Sequence, residues 1–309
     1  MSVHKVALIY GGESAEREVS LSTGKAIAKA MGKSGIVAEE FILAEADIYK
    51  HIEKLKGFDM VFIGYHGGFG ENGHVQSILD MANIRYTGSG AEASMLAMDK
   101  NISKILLEKA GVPVPVGICT GNAKLTSDIL EKIADIGFPI AVKPLMGGST
   151  IGFTKVEDPM NLEPAIEEAL KYDDRAIIEQ FIEGQELTVS FLGDRILPPV
   201  LIKPNTGLYD YKHKYTKGVT EYICPAPYGD DIIAKLNRYA QAAIEAIGCR
   251  NYGRIDFRIS DENELFCLEA NTLPGMTGLS LVPMAADAVG ISFEHLIEEI
   301  IDDAFRYFD

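Results

Sequence analysis

The chain has little positive charge. Its 29 Lys and Arg stand against 45 Asp and Glu, a formal net charge of −16. Nucleic-acid affinity is dominated by Lys and Arg meeting phosphate, so no nucleic-acid partner is expected. An anionic ligand would have to be held by local positive charge. Cysteine is also scarce: Cys119, Cys224, Cys249 and Cys267 lie far apart and match no metal-ligand spacing. Buried free thiols in a reducing cytoplasm are the expectation. No apolar run is long enough to cross a bilayer, so no membrane partner is expected either. Met1-Ser2-Val3-His4-Lys5 leads into a strand-like run without a signal-peptide pattern, which points to a cytoplasmic protein. Two nucleotide fingerprints are missing as well. No glycine precedes Lys-Ser or Lys-Thr in Walker A spacing, and no strand leads into GxGxxG, which leaves an NAD-dependent dehydrogenase poorly supported.

What is present has the composition of a soluble globular protein, 47% apolar and 24% charged, and 309 residues suffice for two or three packed units. Residues 1–97 alternate strand and helix: Val6 to Tyr10, a helical stretch from Ala15 to Met31, then Phe58 to Ile63. Such alternation implies a parallel sheet covered on both faces, with ligands beyond the carboxyl ends of its strands. The Gly-rich loops after Tyr10 and Ile63 are expected there. Residues 98–182 read as a helix from Asp99 to Ala110, an extended Val112-Pro113-Val114-Pro115 connector, and strands around a Gly-rich loop. Residues 183–309 add more strands, a long polar loop at 205–220, a helix from Asp230 to Ile247, a hairpin and terminal helices. The fold class expected is α/β and α+β. Loop 205–220 holds Tyr209, Tyr211, Lys212, His213, Lys214, Tyr215 and Lys217. A loop of that length in a compact domain is usually functional or disordered, and its local positive charge favours function.

The hairpin carries the most chemistry. Arg254-Ile255-Asp256 and Glu269-Ala270-Asn271 flank a polar break at Ser260 to Asn263. Glu269 and Asn271 share a strand face. With a turn centred between Glu262 and Asn263, Asp256 lies opposite Glu269. Two carboxylates and an amide then converge, hard oxygen donors of the kind Mg²⁺ takes beside substrate phosphates. A solvated hairpin face is the alternative. The Lys143 to Gly152 loop can bring backbone N–H groups to phosphate oxygens, with Lys143 adding charge; a Gly-rich hairpin turn would look similar. Lys100 is a second candidate cation, or an exposed helix lysine. Ile177 to Ile182, followed by Glu186, suits an adenine ring and its ribose hydroxyls, or an ordinary buried strand.

Together these segments resemble the D-alanine–D-alanine ligase family of the ATP-grasp superfamily. The resemblance rests on Gly11-Gly12-Glu13-Ser14-Ala15-Glu16-Arg17-Glu18-Val19-Ser20, His66-Gly67-Gly68-Phe69-Gly70-Glu71-Asn72-Gly73, Asp99-Lys100, the Lys143 to Gly152 loop and Tyr209 to Tyr215. It continues through Gly253-Arg254-Ile255-Asp256, Leu268 to Thr277 and Ser280-Leu281-Val282-Pro283, in the family's order. It implies an N-terminal parallel-sheet α/β domain followed by a two-domain ATP-grasp fold. The activity implied is ATP-dependent joining of two D-alanines through an acyl phosphate, supplying peptidoglycan precursors. The resemblance places Mg²⁺ on Asp256, Glu269 and Asn271, as two ions that Mn²⁺ could replace. It sets Lys100, Lys143 and Lys214 on phosphates, Glu179, Phe181 and Ile182 at adenine, and Glu186 at ribose. Glu16 would meet the first D-alanine's ammonium, and Arg254 and the Gly275 N–H the oxyanion. Ser280 and Leu281 would take the second carboxylate, and His66 would orient the second substrate. Ser149 and Tyr215 would link with Glu16 and close loop 205–220, and Lys214-Tyr215 favours D-alanine as second substrate. A homodimer is implied. Three departures stand out: Phe181 where the family often has Trp, Asn72 at the second acid of the HGxxGEDG-type motif, and Lys212 and His213, which make the loop more basic than usual.

Overall fold

The computed structural model describes residues 5–14, 16–205 and 218–308. Lys214 and Tyr215 therefore lie outside the described residues. The N-terminal part comprises β1 (Lys5–Gly11), α1 (Arg17–Lys33), β2 (Val37–Leu43), α2 (Ile48–Leu55), β3 (Met60–Ile63), α3 (Gly68–Glu71), α4 (His74–Met81), α5 (Ala91–Met98) and α6 (Lys100–Lys109). The sheet is parallel with order β2-β1-β3. Val6 to Tyr10 are all buried, as a strand covered on both faces requires. The chain leaves β1 toward β2 and returns on the other side as β3. The strand order therefore reverses between β1 and β3, and a crevice opens past their carboxyl ends. Glu16 and His66 follow those two strands.

The second sheet has order β4-β7-β5-β6, from β4 (Gly117–Thr120), β5 (Ile140–Pro144), β6 (Thr154–Val156) and β7 (Ala176–Gln180). Helices α7 (Ser127–Ile136) and α8 (Leu162–Ala169) cover one face, and Ile133, Ile140, Ile166 and Ile178 share their core.

The third sheet has order β11-β10-β8-β12-β13 with β9 on β8. Its strands are β8 (Gln185–Leu192), β9 (Arg195–Ile196), β10 (Val200–Pro204), β11 (Thr220–Ile223), β12 (Tyr252–Ile259) and β13 (Leu265–Asn271). Helix α9 (Asp230–Ile247) packs on it, and α10 (Leu281–Asp287) and α11 (Phe293–Phe308) end the chain.

The cores interlock. Leu107 of α6 and Val112 and Val114 of the connector pack with Val189, Ile255 and Leu236 under the third sheet. Cys267 N–H donates to Pro113 O at 2.7 Å, so the connector runs beside β13. Conversely, Leu296, Ile297, Ile300 and Ile301 of α11 share a core with β1 and β3. Residues far apart in the chain thus hold the first and third sheets against each other. No helix among the described residues is long and apolar enough to cross a membrane.

Candidate active site

β12 and β13 pair antiparallel with Arg254 opposite Asn271 and Asp256 opposite Glu269. The pairing is as expected, but the turn is not. Ser260 N–H donates to Glu264 O and Asn263 N–H to Ser260 O, both at 2.9 Å, which centres the turn on Glu262. From that centre Phe257 pairs with Cys267, and a regular ladder would set Asp256 opposite Leu268. A bulge between Asp256 and Phe257 makes Leu268 an extra residue and brings Glu269 opposite Asp256. Burial records the event: Cys267 and Ala270 are buried, while Leu268 and Glu269 between them are both half-buried on the cleft side.

The donor set fits a hard cation. Asp256 accepts from Thr188 Oγ1 at 2.6 Å and from Arg254 Nε at 2.9 and 3.1 Å. Asn271 Oδ1 is buried with no hydrogen-bond partner among the described residues, an acceptor left to be satisfied from the cleft. Two carboxylates and that amide oxygen are the ligand chemistry of Mg²⁺.

A chain of buried charge runs from this patch into the second sheet. Asp99 caps α6, accepting from Asn101 N at 3.1 Å and Ile102 N at 3.0 Å. That cap sets Lys100 in the first turn, where its ammonium donates to Gly147 O and lies 3.6 Å from Glu269 Oε2. One turn on, Lys104 Nζ lies 2.8 Å from Glu179 Oε2, and Lys143 Nζ lies 2.8 Å from Glu179 Oε1. Burial pushes the Glu179 carboxyl upward, but Lys104 and Lys143 outweigh it and hold the group at about 2. Burial lowers both Lys100 and Lys104. It acts the same way on Lys143, yet Glu179 and Glu269 prevail and leave that ammonium raised. The sequence reading missed Lys104. Its spacing of four from Lys100, one face of one helix, was the available signal.

On the N-terminal side, Ser149 Oγ donates to Glu16 Oε1. Gly67 has φ +72°, and a Cβ there would stand 2.7 Å from Glu16 Oε2, so the carboxylate's seat requires glycine. Ser149 and Thr150 also adopt left-handed φ, 50° and 63°, a costly conformation for residues with a Cβ. His66 Nε2 lies 2.9 Å from Thr23 Oγ1, and its Nδ1 lies 3.5 Å from Glu71 Oε1. Thr23 Oγ1 also accepts from Met276 N at 3.3 Å, next to Gly275. Ser280 precedes α10, with its Oγ accepting from Thr277 N at 2.9 Å.

Two cavities meet here. One, about 420 Å³, is lined by Glu16, His66, Ser149, Gly275, Ser280 and Leu281 among others. The other, about 120 Å³, is lined by Lys143, Glu179, Phe181, Ile182, Glu186 and Asp256 among others. Lys100, Gly147, Gly148, Ser149, Arg254, Glu269 and Leu281 line both. The predicted site residues among the described ones thus fall into two groups with a shared wall. Phe181 is buried, with Lys155 and Arg258 cations 4.6 and 4.9 Å from its ring centroid. Glu186 Oε1 lies 3.5 Å from Arg258 Nη1.

Three sheets around a cleft, with a carboxylate-bearing hairpin on one wall and a Gly-rich loop on another, are the architecture of the ATP-grasp enzymes. Solved structures agree. The D-alanine–D-alanine ligase of Bacillus anthracis, complexed with ATP, superposes with a TM-score of 0.87 at 31% identity, covering 100% of this chain and 99% of that one. The VanG D-Ala:D-Ser ligase of Enterococcus faecalis gives 0.84 at 27% identity, covering 97% and 99%. The family model for the D-ala D-ala ligase N-terminus matches residues 38–89, and that for the C-terminus residues 106–302. The D-alanine–D-alanine ligase of Syntrophotalea carbinolica is 44% identical over 301 residues, 97% of this chain and 96% of that protein. That of Aromatoleum aromaticum is likewise 44% identical over 301 residues, with the same coverage. The chain belongs to the D-alanine–D-alanine ligase family.

Proposed function

We infer that the protein joins two molecules of D-alanine into D-alanyl-D-alanine with ATP, forming ADP and phosphate and supplying peptidoglycan precursors. One observation carries the reading: the two cavities share a wall at Lys100, Arg254, Glu269 and the 147–149 loop. A nucleotide in the smaller cavity and amino acids in the larger would face each other across that wall.

The chemistry needs activation, because a free carboxylate is a poor electrophile. An oxygen of the first D-alanine's carboxylate attacks the terminal phosphorus of ATP and displaces ADP. The amine of the second then attacks the acyl carbon, phosphate leaves with the acyl C–O bond, and the amine loses a proton. Lys100, Lys143 and Lys214 are assigned to the phosphates. Glu179, Phe181 and the backbone at Ile182 take adenine, and Glu186 the ribose. Glu16 pairs with the first ammonium. Arg254 and the Gly275 N–H stabilise the tetrahedral oxyanion; one such donor is typically worth roughly 3–4 kcal/mol in the transition state. Ser280 and the Leu281 N–H hold the second carboxylate, and His66 orients the second D-alanine. Ser149, seated on Glu16, is assigned with Tyr215 to closing loop 205–220, which excludes water from the acyl phosphate. Asp256, Glu269 and Asn271 would hold two Mg²⁺, with Mn²⁺ as substitute; bound metal neutralises charge on the phosphoryl group.

The three sheets support units at 1–97, 98–182 and 183–309, although α6 packs on the last sheet rather than the second. A homodimer in the bacterial cytoplasm completes the reading.

The test is phosphate release from ATP and Mg²⁺ with D-alanine, L-alanine, D-alanine plus D-serine, or D-alanine plus D-lactate, with products identified by mass. D-Alanyl-D-alanine from D-alanine alone is expected. Phosphate release without dipeptide would overturn the substrate assignment.

A further inference from the structure

Lys104 has no part in the reading above, yet it is among the most enclosed charges described. It is 6% exposed, and the carboxylate it meets, Glu179, is 2% exposed. An ammonium so placed is retained only where it is paired, because an isolated buried charge is prohibitively expensive. The pairing divides one carboxylate between two cations: Oε2 faces Lys104 at 2.8 Å and Oε1 faces Lys143 at 2.8 Å. Lys143 lines the smaller cavity and Lys104 does not.

The geometry points to Lys104 as a positioning residue for the nucleotide phosphates: it occupies one oxygen of Glu179, so that Lys143 engages only the other and stays available to the cleft. The inference rests on the nucleotide reading of that cavity. Within this cluster three ammonium groups, Lys100, Lys104 and Lys143, meet two carboxylates, Glu179 and Glu269. Without Lys104 only two ammonium groups face the same two carboxylates. Both oxygens of Glu179 then compete for Lys143 and draw it away from the phosphates. Lys104 acts wholly through Glu179 and Lys143 and touches no reacting atom.

The experiment compares ATP and adenosine binding in Lys104→Met, which keeps the length of the side chain and removes its charge. ATP affinity is expected to fall about tenfold or more, and adenosine affinity by less than about threefold, the part that Glu179 contributes at adenine. Lys104→Arg should restore ATP binding to within about threefold of the unmodified protein. A general disturbance of the site would weaken both ligands alike. Equal losses, or unchanged ATP affinity, would overturn the assignment. If the methionine variant does not fold, Lys104→Gln provides the same comparison with the same expectations. Failure of both ligands to bind the unmodified protein would instead remove the nucleotide reading itself.

Discussion

Asp256 faces Glu269 across the hairpin because Leu268 is an extra residue. The turn and the Phe257–Cys267 pair set one register, in which Leu268 would oppose Asp256. A one-residue slip in a strand sends every side chain to the other face. The bulge performs that slip locally, so Cys267 stays in the core while Glu269 and Asn271 reach the cleft. Bulges are enriched beside active sites for this reason.

Asp256→Asn should therefore lose metal without losing the fold. The amide cannot carry the charge that the cation needs, while Thr188 and the hairpin register persist. Titration with Mn²⁺, followed by its paramagnetic signal, should show affinity reduced by about 10–100-fold or more, the range seen even for outer-shell changes. Unaltered Mn²⁺ affinity and an ordinary Mg²⁺ response would refute the metal assignment.

Glu179 sets an acid limit on stability. Its carboxyl is held at about 2, below the ordinary 4.5 of the unfolded chain. As pH falls between those values the unfolded chain takes up the proton first, so stability that is complete above the ordinary value drains away toward 2. The slope is at most about 1.4 kcal/mol per pH unit for one proton. In Glu179→Gln that part of the profile should flatten in denaturant titrations between pH 5 and 2. A profile identical to that of the unmodified chain would show that the Lys104–Glu179–Lys143 cluster does not behave as drawn.

Thr23 links His66 to the loop that carries Gly275. The imidazole thus meets Thr23 through Nε2 and faces Glu71 through Nδ1. Thr23→Val preserves shape but removes the link and leaves the Met276 N–H unpartnered, worth about 1–3 kcal/mol of stability. Turnover should fall about tenfold and KM for D-alanine should rise, with KM for ATP unchanged. Thr23→Ser should recover most of the activity. Equal effects on both Michaelis constants would reduce Thr23 to a packing role.

Much of the molecule was legible in one dimension. Continuous apolar runs such as Val6 to Tyr10 announced buried parallel strands, because a strand covered on both faces has no polar side. Helix Asp230–Ile247 has the bounds expected of it. Motif order alone pointed to the family. Bounds shifted where caps decide: Asp99, read as helical, is the cap whose carboxylate starts α6 at Lys100.

The sequence determined which chemistries are available: hard oxygen donors on a hairpin, lysines near a Gly-rich loop, and an acidic chain without a Walker A or dinucleotide fingerprint. Tertiary structure alone decided how they meet. The third sheet takes its covering helix α6 from more than a hundred residues upstream of β13, and the first takes α11 from the far end of the chain. Burial then converts Lys104 from a surface-like i+4 neighbour of Lys100 into the partner of Glu179. The Asp256–Glu269 pairing was legible, but the bulge that produces it was not, since alternation locates a face and a bulge leaves no residue type of its own. Such facts depend on which apolar surfaces find each other across long separations, and the side-chain pattern of any one segment does not contain them.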